Sequence, residues 1–108
     1  MAPLLLSEIE GRFVLTLTDD HMIAVNDVFE AHGRYGNGYG WADVAVGLMR
    51  ADAPELETQM ELDPEAGMFV AYGTDREALA RLGGMLAIVF HDRDALGVAV
   101  VAAPYEWD

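Results

Sequence analysis

Apolar positions along the chain recur at two different spacings, and the changes of spacing mark its elements. Residues 4–9 and 12–18 read as two strands joined at Glu10-Gly11. In the second, Phe13, Leu15 and Leu17 share one face while Thr16 and Thr18 share the other. Asp19 or Asp20 can cap a following helix over residues 21–32. Its Met22, Val25 and Phe29 recur at helical steps, and Gly33 stands at the C′ stop. A second helix is expected from near Trp41, carrying Val44, Ala45, Leu48 and Met49 on one side and ending before Pro54. Residues 57–62 and 68–72 form a second expected hairpin around Asp63-Pro64-Glu65-Ala66-Gly67. Thr74 or Asp75 then caps a helix through Phe90, and Thr74 with Glu77 matches a capping box. In the last segment, residues 94–103, Val98 and Val100 favour a strand by type. Asp92 and Asp94 offer N-caps, which tip the balance to a helix. Hairpin, helices, hairpin, helices is the order of an α+β protein. The expectation is a small single domain over residues 1–108, with a mostly antiparallel sheet of about four strands and helices packed on one face.

The segment between the first two helices breaks both patterns. His32-Gly33-Arg34-Tyr35-Gly36-Asn37-Gly38-Tyr39-Gly40-Trp41 places glycines at alternate positions with large aromatics between them. Such glycines can take positive φ repeatedly, and the aromatics need something to pack against or to touch. Tyrosine, tryptophan and arginine are also the residues most enriched at the energetic centres of protein interfaces. Trp41 is expected in the core and Asn37 in the turn, while Arg34 and Tyr35 are expected at the surface facing a partner.

Composition narrows the function classes. The 108 residues are 53% hydrophobic, with 19 acids against six basic residues, all arginine, for a formal net charge of −13. That charge repels phosphate backbones and anionic lipids, so direct nucleic-acid or membrane binding is not expected, whereas a basic protein partner is favoured. With no cysteine, disulfides, thiolate metal sites and cysteine nucleophiles are excluded. The N-terminal segment lacks a basic region and a long apolar run, from which a cytoplasmic location is expected.

The glycine run is not a phosphate loop. No Lys-Ser/Thr follows it, the third glycine of a dinucleotide fingerprint would fall at Trp41, and a helix precedes it where a strand is required. Asp19-Asp20-His21 and His91-Asp92-Arg93-Asp94 carry metal-ligand residue types but lack ligand spacing, and they read as helix caps beside solvated charges. The carboxylate pairs Glu55/Glu57 and Asp63/Glu65 are expected by chance among so many acids. No nucleophile arrangement stands out, and no catalytic residue, cofactor or metal is expected.

Gly33-x-x-Gly36-Asn37-Gly38-Tyr39-x-Trp41, followed about twenty residues later by Asp63-Pro64-Glu65-Ala66-Gly67-Met68-Phe69, resembles the immunity protein 51 family. Members are small bacterial proteins encoded beside polymorphic toxins. The resemblance implies a non-enzymatic protein that binds and neutralises a cognate toxin. Candidate partner-binding residues are then Arg34, Tyr35, Asn37, Tyr39, Asp43 and Glu65; candidate structural residues are Gly33, Gly36, Gly38, Trp41, Asp63, Gly67 and Phe69. A basic nuclease is the target that the acidity suits best, with the chain a monomer or homodimer. Two other classes compete: a small-molecule-binding domain or minor enzyme with a pocket beside Tyr39 and Trp41, and an assembly module that dimerises through exposed aromatics.

Overall fold

A computed structural model describes all residues, Met1–Asp108. β1 (Leu5–Ile9) and β2 (Arg12–Thr18) form a tight antiparallel hairpin. Its two turn residues, Glu10 at φ 52° and Gly11 at φ 80°, both take the left-handed conformation that suits a two-residue hairpin turn. β4 (Met68–Gly73) pairs with β2 in the register Leu15↔Ala71, and β3 (Glu61–Leu62) pairs with the outer side of β4. The strand order is β1-β2-β4-β3, and every pairing is antiparallel. The α+β architecture therefore has the expected four strands.

The period-two pattern decides where the helices go. Leu15, Leu17, Phe69 and Ala71 point to one face and are fully buried. α4 (Arg76–Phe90) packs across β1, β2 and β4 on that face, and α3 (Gly38–Asp52) packs on β4 beside it. α5 (Arg93–Ala102) lies on α2 (Asn26–Glu30), α3 and α4, which makes a second helical layer over the first. The ambiguous segment is thus helical, and Asp92 caps it by accepting from the amides of Asp94 and Ala95.

Four expectations need correction. The helix expected over residues 21–32 is two short ones, α1 (Asp19–Ile23) and α2 (Asn26–Glu30). The break falls at Ala24-Val25, whose amides close short turns onto His21 O and Met22 O; just beyond it, Asn26 Oδ1 accepts from Gly36 N at 2.7 Å and its Nδ2 donates to Glu30 Oε1 at 2.8 Å, tying α2 to the glycine loop. α3 starts at Gly38, three residues earlier than expected, because Asn37 supplies the cap. Residues 54–58 form a 3-10 turn (Pro54–Thr58), since the proline stops α3 while favouring the start of a new turn; only Glu61–Leu62 are left as strand. Finally, the cap of α4 is Asp75, which accepts from Ala78 N at 3.1 Å, so the Thr74–Glu77 box is not used.

Candidate functional site

The glycine-aromatic loop is built from its ends inward. At its start, Gly33 takes φ 72° while its amide and that of Arg34 reach back to the carbonyls of Glu30 and Phe29. This pair of bonds is the Schellman closure of a helix, so Gly33 is the C′ residue that its position suggested. At the other end, Asn37 Oδ1 accepts from Gly40 N at 3.0 Å and starts α3.

The glycines between them serve a different purpose from the one expected. Gly36, Gly38 and Gly40 do not take left-handed φ; among the glycines only Gly11 and Gly33 do. They are instead places where another part of the chain passes too close for a side chain. A Cβ on Gly38 would overlap the carbonyl oxygens of Glu65 and Met68, and one on Gly40 would overlap that of Tyr35. Gly38 N also donates to Ala66 O at 3.0 Å. The two sequence motifs, one around Gly38 and the other over residues 63–69, therefore dock on each other backbone to backbone. Trp41 is fully buried behind this junction, with its ring 5.4 Å from Phe29 and 6.1 Å from Phe90; Phe69 is fully buried beneath it in the sheet. The expected core role of Trp41 holds.

Arg34 and Asp43 are a correction. Arg34 was expected at the surface, but it is only 4% exposed and Asp43 is 0% exposed. Arg34 Nη2 donates to Asp43 Oδ2 at 3.1 Å and to Pro104 O at 2.7 Å. Its Nη1 donates to Val100 O at 3.2 Å and Ala103 O at 2.7 Å. α5 has no basic residue in its own last turn, so this guanidinium supplies the positive charge that a helix C-terminus favours. Asp43 in turn accepts from the amides of Glu106, Trp107 and Asp108 at 2.9–3.1 Å. Tyr105 covers the pair, its ring centroid 3.8 Å from the Arg34 Cζ. Two of the candidate partner-binding residues are thus a buried clamp on the C-terminal tail, closed to any partner in this conformation. The aromatics of the tail, Pro104-Tyr105-Glu106-Trp107-Asp108, are a packing signal legible in the sequence, which Tyr105 bears out; the three tail amides on Asp43 leave no such signal.

The remaining candidates lie nearer the surface. Tyr35 and Glu65 are exposed, as are Asp63 and Gly67, while Asn37 and Tyr39 are half-buried. Most arginines are engaged by carboxylates of the same chain. Arg50 pairs with Glu57 and with Glu106, both at 2.9 Å; Arg81 pairs with Glu55 at 2.8 Å, and Arg93 pairs with Asp27. The hydrogen bonds that Arg50 donates to the Glu57 and Glu106 carboxylates hold its guanidinium above its ordinary pKa. A hydrogen bond from its own backbone amide, then Arg81, holds Glu55 below the usual carboxylate range; the Thr18 hydroxyl does the same for Asp20. No group of three or more metal-ligating side chains converges anywhere in the chain.

The largest concavity, about 800 Å³, is an open groove between α2 and α5 lined by Val28, Ala31, His32 and Val98 among others. A smaller one, of about 360 Å³, lies on the uncovered side of the sheet between Ile9, Val14, Val70 and Tyr72. A small-molecule site was expected to place a pocket beside Tyr39 and Trp41, but neither residue lines any of the five main concavities. The space is filled by aromatic packing. No helix is long and apolar enough to cross a membrane.

Sheet, helical double layer and interlocked glycine motifs define a small α+β domain whose signature residues lock its own backbone together. The chain belongs to the immunity protein 51 family, whose model matches residues 4–103. No curated protein and no solved structure matches it.

Proposed function

We propose that this chain is the cytoplasmic immunity partner of a polymorphic toxin and neutralises it by stoichiometric, non-catalytic binding. Family membership supplies the class, and the surface charge carries the finer reading. With Arg34, Arg50, Arg81 and Arg93 each held by carboxylates of the same chain, the net charge of −13 is displayed as unpaired surface acids. An acidic inhibitor suits a basic target, because complementary fields raise the association rate and repel wrong partners. A nuclease, basic because it must approach phosphate, is the toxin class that fits best.

Co-expression with the product of the adjacent toxin gene tests the proposal. Growth should be rescued and the two chains should copurify in equal amounts. A neighbouring gene that encodes no toxin, or a toxin that is neither bound nor suppressed, would overturn it.

A further inference from the structure

All the helices lie on one side of the sheet, and the other side is bare. Cross-strand register fixes what it displays, because paired residues share a face. One rank across the sheet is Ser7, Val14, Tyr72 and Glu61, and the next is Leu5, Thr16 and Val70. Ile9 and Arg12 close one end. Asp63 continues the β3 edge beside Val70, its amide donating to Val70 O at 2.9 Å, and Glu65 bridges to Met68 one step further. The centre is apolar: Val14, Val70 and Tyr72 are half-buried by their neighbours alone, and Leu5 and Ile9 are 63% and 57% exposed. The rim is acidic, with Glu61, Asp63 and Glu65 at every second position along one edge and Glu10 at the hairpin turn. The one cation, Arg12, lies over the Tyr72 ring, its Cζ 4.9 Å from the centroid.

An apolar centre with an aromatic anchor and a polar rim is the anatomy of a protein-binding surface. We infer that this bare sheet face is where the chain receives its toxin, through a basic patch surrounding an apolar contact. This deepens the proposed function and rests on it. Charge chooses the occupant. A second copy would bring an equally acidic rim and no complementary charge, and nucleic acid or anionic lipid would be repelled. The competing α2–α5 groove has less of this bias: Asp27 and Arg93 pair there, leaving Asp94 as its one unpaired acid against three along the sheet edge.

The test uses the full chain and the active-site-inactivated product of the adjacent toxin gene. Each variant is first checked for a wild-type circular dichroism spectrum and melting transition. The charge reversal Glu61→Arg/Asp63→Arg should weaken binding at least 100-fold, mostly through slower association. Ile9→Glu should weaken it at least tenfold. Val98→Glu/Val101→Glu, on exposed positions of α5, should bind within twofold of wild type. Independently of any variant, the methyl NMR signals of Ile9, Val14 and Val70 in the wild-type chain should shift when toxin is added. Undiminished binding by the sheet variants, or unshifted methyls with a bound toxin, overturns the surface while leaving the toxin reading intact. A wild-type chain that does not bind at all overturns both. A concentration-dependent dimer broken by Ile9→Glu would assign the face to a second copy and overturn the inference.

Discussion

Asp43 accepts one hydrogen bond from Arg34 and three from backbone amides of the tail, in a site closed to water. Removing one partner of such a pair leaves an uncompensated buried charge, which typically costs about 3–5 kcal/mol. Arg34→Ala should therefore lower stability by at least about 3 kcal/mol in a urea titration, where a surface arginine would move it by about 0.5 kcal/mol or less. The glycines make a second contrast at this scale. Gly38→Ala puts a methyl group onto two carbonyl oxygens and should prevent folding or cost several kcal/mol. Gly67→Ala, with open space at its Cβ, should stay within about 0.5 kcal/mol in the same assay. At Asp20, Thr18→Val removes the largest cause of the lowered pKa, so the carboxyl should titrate closer to the ordinary range by NMR. A depressed carboxylate stabilises the fold above its unfolded pKa, and that contribution is lost as pH falls through the folded one. Thr18→Val should therefore be less stable than the wild type above the unfolded pKa, and the difference should vanish as pH falls through the wild-type folded pKa.

Among elements, the C-terminal tail is held more firmly than its exposed burial pattern suggests. Asp43 takes its amides, Arg34 takes the Pro104 carbonyl, and Arg50 pairs with Glu106. Deleting residues 104–108 should cost at least about 2 kcal/mol, since hydrogen bonds to charged groups contribute roughly 1.5–3 kcal/mol each, and thermal melting would show it. What was legible in the sequence follows the range of each interaction. The hairpin at Glu10-Gly11, the C′ role of Gly33 and the helix after Asp92 depend on neighbours within a few residues, so local chemistry announces them. The tie between α2 and the glycine loop depends on Asn26 reaching Gly36, ten residues on. The Arg34 clamp depends on carbonyls 66–70 residues away, and no spacing encodes such a partner. Alternate glycines point to an unusual backbone, but only the fold shows that Gly36 lies against α2, Gly38 against the carbonyls of Glu65 and Met68, and Gly40 against the Tyr35 carbonyl, rather than in left-handed turns.

At the scale of the whole molecule, the two family motifs serve the fold, and the surface is left for recognition. Gly38 and the turn over residues 63–67 lock together, Trp41 fills the space behind them, and the helices cover one side of the sheet only. Candidate contact residues then divide by position: Arg34 and Asp43 belong to the interior, whereas Glu65 belongs to the acidic edge of the open sheet face. Tyr35 stands exposed on the loop itself. A net charge of −13 makes the expected partnership electrostatic in its kinetics and sensitive to salt. Calorimetric titration of the inactivated toxin with the full chain at low and high ionic strength measures this directly. The account predicts one immunity chain per toxin and an affinity that falls as salt rises. Absence of binding, or a complex indifferent to salt, would contradict it.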